Sequence, residues 1–275
     1  MIKDLVVILS ERERQHFAED YAISLAKTFG AHTVGIAFLY DAIIPDGALG
    51  AVPIELIEVQ RQENSRSAQA AIKRFEASAK AAGISAEARI VEATLGGGVT
   101  VFGEIARRFD LSVVGQAQPE GGASEELMIE AALFESGRPV VIVPYIQKQG
   151  LTLERVIVCW DGSRTAARAV GDAMPFLRRA KAVDVLIVAE ERKREEITGA
   201  NMIQHLARHG VPASVKRTTR ADVSIENVIL SYAADSGADF MVMGGYGHSR
   251  LREFILGGVT RGILSSLTLP VLMSH

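Results

Sequence analysis

Two glycine clusters divided by a charged loop are the residues of this chain best suited to chemistry. Gly244, Gly245 and Gly247 follow an apolar run that includes Met243, and Gly257 and Gly258 precede another that carries Ile263, Leu264 and Leu267. Glycines just after a buried strand permit positive φ and let a ligand approach backbone N–H groups, which can form a nest for an anion. Glycines just before a helix leave the N–H groups of its first turn open to a phosphate, and the Thr260 hydroxyl adds a donor next to Val259. His248, Arg250 and Arg252 bring positive charge to the loop. A further candidate is Asp161, in Cys159-Trp160-Asp161-Gly162-Ser163. Its carboxylate serves either a ligand or the N-cap of the helix that follows, and the two roles are compatible.

Such loops need a scaffold, and the chain contains its scaffold twice. Residues 4–10 resemble residues 155–161, each a β-rich run followed by a polar switch into a helical pattern. Residues 102–115 match residues 231–244 as helix, turn, buried strand and glycine, and both halves close on a strand entered through proline, at Pro139 and Pro270. Short continuous apolar strands alternate with helices of 3.6-residue apolar period, which argues for a parallel sheet covered by helices on both faces. The fold class expected is α/β, with two tandem doubly wound domains of five mainly parallel strands each, over 1–146 and 151–275. In the second half the strands are expected at 155–160, 183–189, 213–218, 239–244 and 270–274. An insertion over 41–67 in the first half opens as a loop and leads into an added helix. In sheets of this kind ligands sit beyond the carboxyl ends of the strands, where the strand order reverses, so both candidate loops fall at the expected place.

The spacing Gly244-x-x-Gly247, nine residues, Gly257 resembles the nucleotide-binding signature of ATP-binding universal stress proteins. The chain departs from that signature at Gly258, where the family usually has Ser or Thr, so one hydroxyl donor is lost while the backbone donor remains. The resemblance covers the whole chain as a tandem pair and implies Rossmann-like domains of the adenine nucleotide alpha hydrolase type. It places an acidic residue against the nucleoside at Asp161 and a backbone contact to adenine at or near Val188. It places phosphate contacts on Gly244, Gly247, His248, Gly257, Gly258, Val259 and Thr260, and counts Met243 among the nucleotide-binding residues. The ligand implied is ATP, or ADP or AMP, with Mg²⁺ as the accompanying ion. The family also pairs its domains through their final strands, which here predicts that the strand near 139–144 meets the strand near 270–275. A homodimer of two such chains is compatible with that pairing.

The first half serves as an internal control. Counting back from Pro139 and Pro270 sets Glu126 opposite Gly257 and Leu127 opposite Gly258, so charge and bulk replace the glycines. Ser10 stands opposite Asp161, and the Glu126 carboxylate would repel a triphosphate. One competent nucleotide site and one degenerate copy are therefore expected. Gly96-Gly97-Gly98 and Gly121-Gly122 are the only glycine clusters left to argue otherwise.

Composition narrows the function classes. With 275 residues, 48% of them hydrophobic, the chain can bury ample core, and a net charge of −3 gives no sequence-wide field for nucleic acid or an anionic membrane. The apolar runs are strand-length, so neither a membrane span nor a signal peptide is expected, and Cys159, the single cysteine, agrees with a cytoplasmic location. No Walker loop, Gly-x-Ser-x-Gly elbow, His-Glu-x-x-His or Ser-Gly-Gly-x-Asp-Ser loop is present. His205 and His209 permit a metal pair but lack a third ligand, so a solvated face is expected. The reading favoured is a nucleotide-binding protein of stress response or signalling, more binding protein than enzyme. The alternatives are slow ATP hydrolysis and a scaffold whose loops bind nothing.

Overall fold

The structure, a computed structural model, describes residues 1–10, 16–40, 54–94, 97–118, 123–189, 199–219, 223–245 and 258–275. The first half runs β1 (Asp4–Ile8), α1 (Phe17–Phe29), β2 (His32–Tyr40), α2 (Ile54–Ala82), β3 (Ala86–Ala93), α3 (Gly97–Ala106), β4 (Leu111–Gly115), α4 (Ala123–Glu130) and β5 (Val140–Val143), with a π-helical turn at Ala131–Glu135. The second runs β6 (Arg155–Cys159), α5 (Arg164–Leu177), β7 (Ala182–Ala189), α6 (Gly199–Arg208), β8 (Ala213–Thr219), α7 (Ile225–Ser236), β9 (Phe240–Gly244), α8 (Gly258–Ser265) and β10 (Val271–Ser274). The strands expected in this half lie within one or two residues of those found.

All these strands join one sheet in the order β3-β2-β1-β4-β5-β10-β9-β6-β7-β8. The two halves therefore repeat one strand order, and in each the order reverses once, between β1 and β4 and between β6 and β9. Every pairing is parallel except β5 with β10, which is antiparallel with Val271 opposite Ile142, Leu272 opposite Val141 and Met273 opposite Val140. This is the pairing of final strands that the family resemblance implied. Central strands read as continuous apolar runs because helices cover both faces, while edge strands β3 and β8 alternate half-buried and exposed positions.

The helix expected inside the 41–67 insertion is not a separate element. Residues 54–82 form a single helix, since no glycine or proline interrupts them, and Asn64 Nδ2 ties this helix to the Tyr40 carbonyl at 3.3 Å. The loop that opens the insertion lies outside the described residues.

Two apolar clusters, one on each face, run through both halves. On the first face α1 and α5 meet: Phe176 stacks on Phe240 at 4.9 Å between centroids and receives the edge of Phe29 at 4.9 Å, and the Arg179 guanidinium lies 4.6 Å over the Phe29 ring. Truncating Phe176, which is fully buried, is expected to cost about 3–5 kcal/mol in urea unfolding. Because the clusters are shared, Trp160 fluorescence and far-UV circular dichroism of Phe176→Ala should still report one coincident transition. Two separated transitions would contradict a common core.

Candidate functional site

The turn from β6 into α5 is built by three adjacent residues. The Asp161 carboxylate accepts a hydrogen bond from the Ser163 N–H at 2.9 Å, Gly162 takes φ 76°, and the Ser163 hydroxyl accepts from the Ala166 N–H at 3.1 Å as the N-cap of α5. The N-cap role considered for Asp161 therefore belongs to Ser163, two residues on, and Asp161 closes the turn before it. That leaves the Asp161 carboxylate exposed at the carboxyl end of β6, next to the reversal of strand order.

Gly244 ends β9 opposite Ser274. A Cβ there would lie 2.5 Å from the Ala166 nitrogen and 2.6 Å from the Thr165 hydroxyl, so glycine is required by the approach of α5 to the sheet. Gly258, the first residue of α8, differs: a Cβ there meets nothing within 4 Å. Neither packing nor positive φ among the described residues calls for glycine at 258, and no acidic side chain stands in the first turn of α8. Thr260 is buried, while Met243, Val188 and Val259 all belong to or pack against one apolar cluster beneath this region. Val188 lies beyond Leu186, the last β7 residue paired with β6, at the open end of the sheet. Gly247, His248 and Gly257, with Arg250 and Arg252, lie outside the described residues.

The family model described as the universal stress protein family matches residues 152–275. The second half is a universal stress protein domain. A universal stress protein of Synechocystis is 26% identical over 181 aligned positions, which cover 60% of this chain and 57% of that one. The chain thus spans little more than half the length of this curated relative. The crystal structure of a universal stress protein from Archaeoglobus fulgidus shares the fold over 98% of this chain and 97% of its own, with TM-score 0.74 and 18% identity. A functionally unknown protein from Pseudomonas aeruginosa PAO1 shares it over 99% of this chain and 92% of its own, with TM-score 0.62 and 14% identity.

The first half has the same fold as the universal stress protein domain but different contents at the equivalent place. Phe17 packs where a Cβ on Gly115 would stand, 2.9 Å from the ring, as Thr165 does under Gly244. Helix α4 carries Glu125 and Glu126 in its first turn, so carboxylates of the chain itself occupy the end of the helix that favours negative charge. Burial, and then the Glu126 charge, raise the pKa of Glu130 one turn on.

Three polar clusters escaped the motif search because their members are far apart in sequence. Glu19, almost fully buried, accepts from the Ser10 N–H at 2.7 Å and from Arg74 at 3.3 Å, while Arg74 donates to the Ser10 carbonyl at 2.6 Å. Burial raises the Glu19 pKa against these partners and His16. Gln116, also buried, accepts from the Tyr145 N–H at 3.3 Å and donates to the Leu264 carbonyl of α8 at 2.8 Å, so it joins the two halves. Asp184, under α7, accepts from Arg155 at 2.9 Å, Ser214 at 2.9 Å and Tyr232 at 3.0 Å. Among the described residues no group of three or more His, Cys, Asp or Glu is arranged to hold a metal, and the His209 Nδ1 faces the Arg178 guanidinium at 3.1 Å.

Two predictions follow from charge burial in the universal stress protein domain. For Asp184, burial raises the pKa but the three donors and the Arg155 charge outweigh it, so the folded value lies below the ordinary 3.8. Its stabilisation is complete above that ordinary value and lost as pH falls through the lower folded one. Asp184→Asn should cost about 1.5–3 kcal/mol at pH 7 and remove this part of the acid loss, read by urea titration at pH 7 and below pH 4. Cys159 is pushed up to about 12 by burial and then by the Asp161 charge. The native thiol should resist iodoacetamide at neutral pH and react on unfolding, and Asp161→Asn, which removes only the smaller cause, should leave it inert.

Proposed function

We propose that the universal stress protein domain binds an adenine nucleotide, ATP foremost, and that its occupancy carries a stress-response or signalling output. Phosphates lie over the amino end of α8, held by N–H groups of Gly258 and Val259 and by Thr260, with Gly244, Gly247, His248 and Gly257 completing the loop. Asp161 meets the ribose, the backbone near Val188 meets the base, and Mg²⁺ accompanies the triphosphate as its counter-ion.

The observation that carries this reading is the contrast between α8 and α4. One helix starts on a glycine with open space at its Cβ and no acid in its first turn, and its counterpart starts with two glutamates. A helix end that carries no acid of its own favours an anion through the partial positive charge and the N–H groups of its first turn. Supporting it are the exposed Asp161 at the β6 terminus and the position of both at the reversal of strand order.

Calorimetry of the purified chain with ATP, together with mass spectrometry of small molecules released by heat, tests the reading. Gly258→Glu, which gives α8 the charge that α4 has, should weaken ATP binding about tenfold or more while circular dichroism stays native. A chain that releases no nucleotide and takes up no ATP would be a scaffold instead. Binding that survives Gly258→Glu and the double change Gly247→Val, Gly257→Val would move the site elsewhere.

A further inference from the structure

A cavity of about 230 Å³ opens in the first half, at the carboxyl ends of β1, β2 and β4. Its place in the fold corresponds to that of the nucleotide site proposed for the second half, but its lining is different. The apolar wall comes from Phe17, Phe38, Tyr40, Val114 and Met128, with Ala18 of α1 at its side. The Phe38 and Tyr40 rings are stacked, 5.7 Å apart and 15° from parallel. Gly98 of the triple glycine backs this wall: a Cβ there would lie 2.9 Å from the Tyr40 ring. Gly98 thus makes room for an aromatic side chain.

The polar part of the lining is Ser10, Glu19, Gln116 and Glu125. Two of these are carboxylates, and no lysine, arginine or histidine lines the cavity among the described residues. The Arg74 guanidinium is engaged by Glu19 and the Ser10 carbonyl, and His16 Nδ1 lies 3.8 Å from the Glu19 carboxylate. An anion entering here would lose its hydration beside the Glu19 and Glu125 carboxylates, which is unfavourable. One polar lining residue is held in place within the protein. Gln116 is held at both ends of its amide, by the Tyr145 N–H and the Leu264 carbonyl.

We propose that this cavity binds a small planar molecule of one or two rings that carries no negative charge, so that the first half is a ligand-binding domain of its own chemistry. The size fits: a dry cavity of about 150 Å³ already accepts benzene. Stacked rings offer a face against which a planar ring gains more than area burial alone. The inference stands on the first half and is independent of nucleotide binding by the second.

The probe is 5-fluoroindole, neutral and bicyclic, observed by ¹⁹F NMR with the full chain, against 5-fluoroindole-2-carboxylate as the anion of the same ring. The neutral probe should bind with a Kd below about 1 mM, the carboxylate about tenfold or more weaker, and excess ATP should not displace the neutral probe. Ala18→Leu, which fills the cavity, should weaken the neutral probe about tenfold with native circular dichroism. If that variant does not fold, Tyr40→Ala, at the end of β2, should give the same loss by removing the stacked wall. No binding by the wild-type chain, equal binding of the two probes, or full binding by a folded cavity variant would each overturn the proposal.

Discussion

The antiparallel ladder between β5 and β10 is the contact on which the rest of the molecule depends. Both strands are buried along their whole length, Val140–Val143 and Val271–Ser274. In either half alone this strand would be the edge of the sheet, with its backbone N–H and C=O groups unpaired in an apolar surround. Pairing the two edges satisfies those groups and brings the covering helices into register. The Phe29, Phe176 and Phe240 cluster on one face and the Gln116 to Leu264 hydrogen bond on the other are consequences of that register. The outer strands β3 and β8, by contrast, carry alternating exposed residues, as edges facing water do.

One scaffold repeated twice then supports two different ends. Where a strand hands over to a helix, the second half places Asp161, Ser163 and Thr165, and Gly244 lets α5 come close to the sheet. The first half places Ser10, Phe17 and Glu19 at the corresponding junction, and its helix α4 starts with acids. The sheet changes little between the copies, whereas the side chains at the strand ends differ in size and in where their carboxylates stand. Loops on a rigid frame can diverge in this way because they contribute little to the core.

Buried polar groups mark the differences more sharply than the motifs do. Glu19 with Arg74 and Ser10 lies at the cavity of the first half, and Asp184 with Arg155, Ser214 and Tyr232 lies under α7 in the second. Each carboxylate is satisfied by donors from separate elements, so each cluster ties its helices to the sheet. In Asp184 the donors outweigh desolvation; in Glu19 they do not, and the two pKa values move in opposite directions.

How much of this was legible in the sequence follows from the range of the forces involved. Alternation of apolar runs with 3.6-residue periods located β6 to β10 to within a residue or two, because burial on both faces leaves a local imprint on each strand. The internal repeat announced that there are two such sets, and the resemblance to universal stress proteins implied the pairing of their final strands. Glycine spacing likewise singled out Gly244 and Gly258, but it could not tell their reasons apart. Only the tertiary structure shows that Gly244 is demanded by the approach of Thr165 and Ala166, while Gly258 faces open space. The Ser163 cap, the continuity of α2 through the insertion, and the cavity walled by Phe38, Tyr40 and Met128 also needed the fold. Period and spacing record what a residue does to its own element; which distant side chain fills the space beside it is decided by packing, which leaves no mark on neighbouring letters.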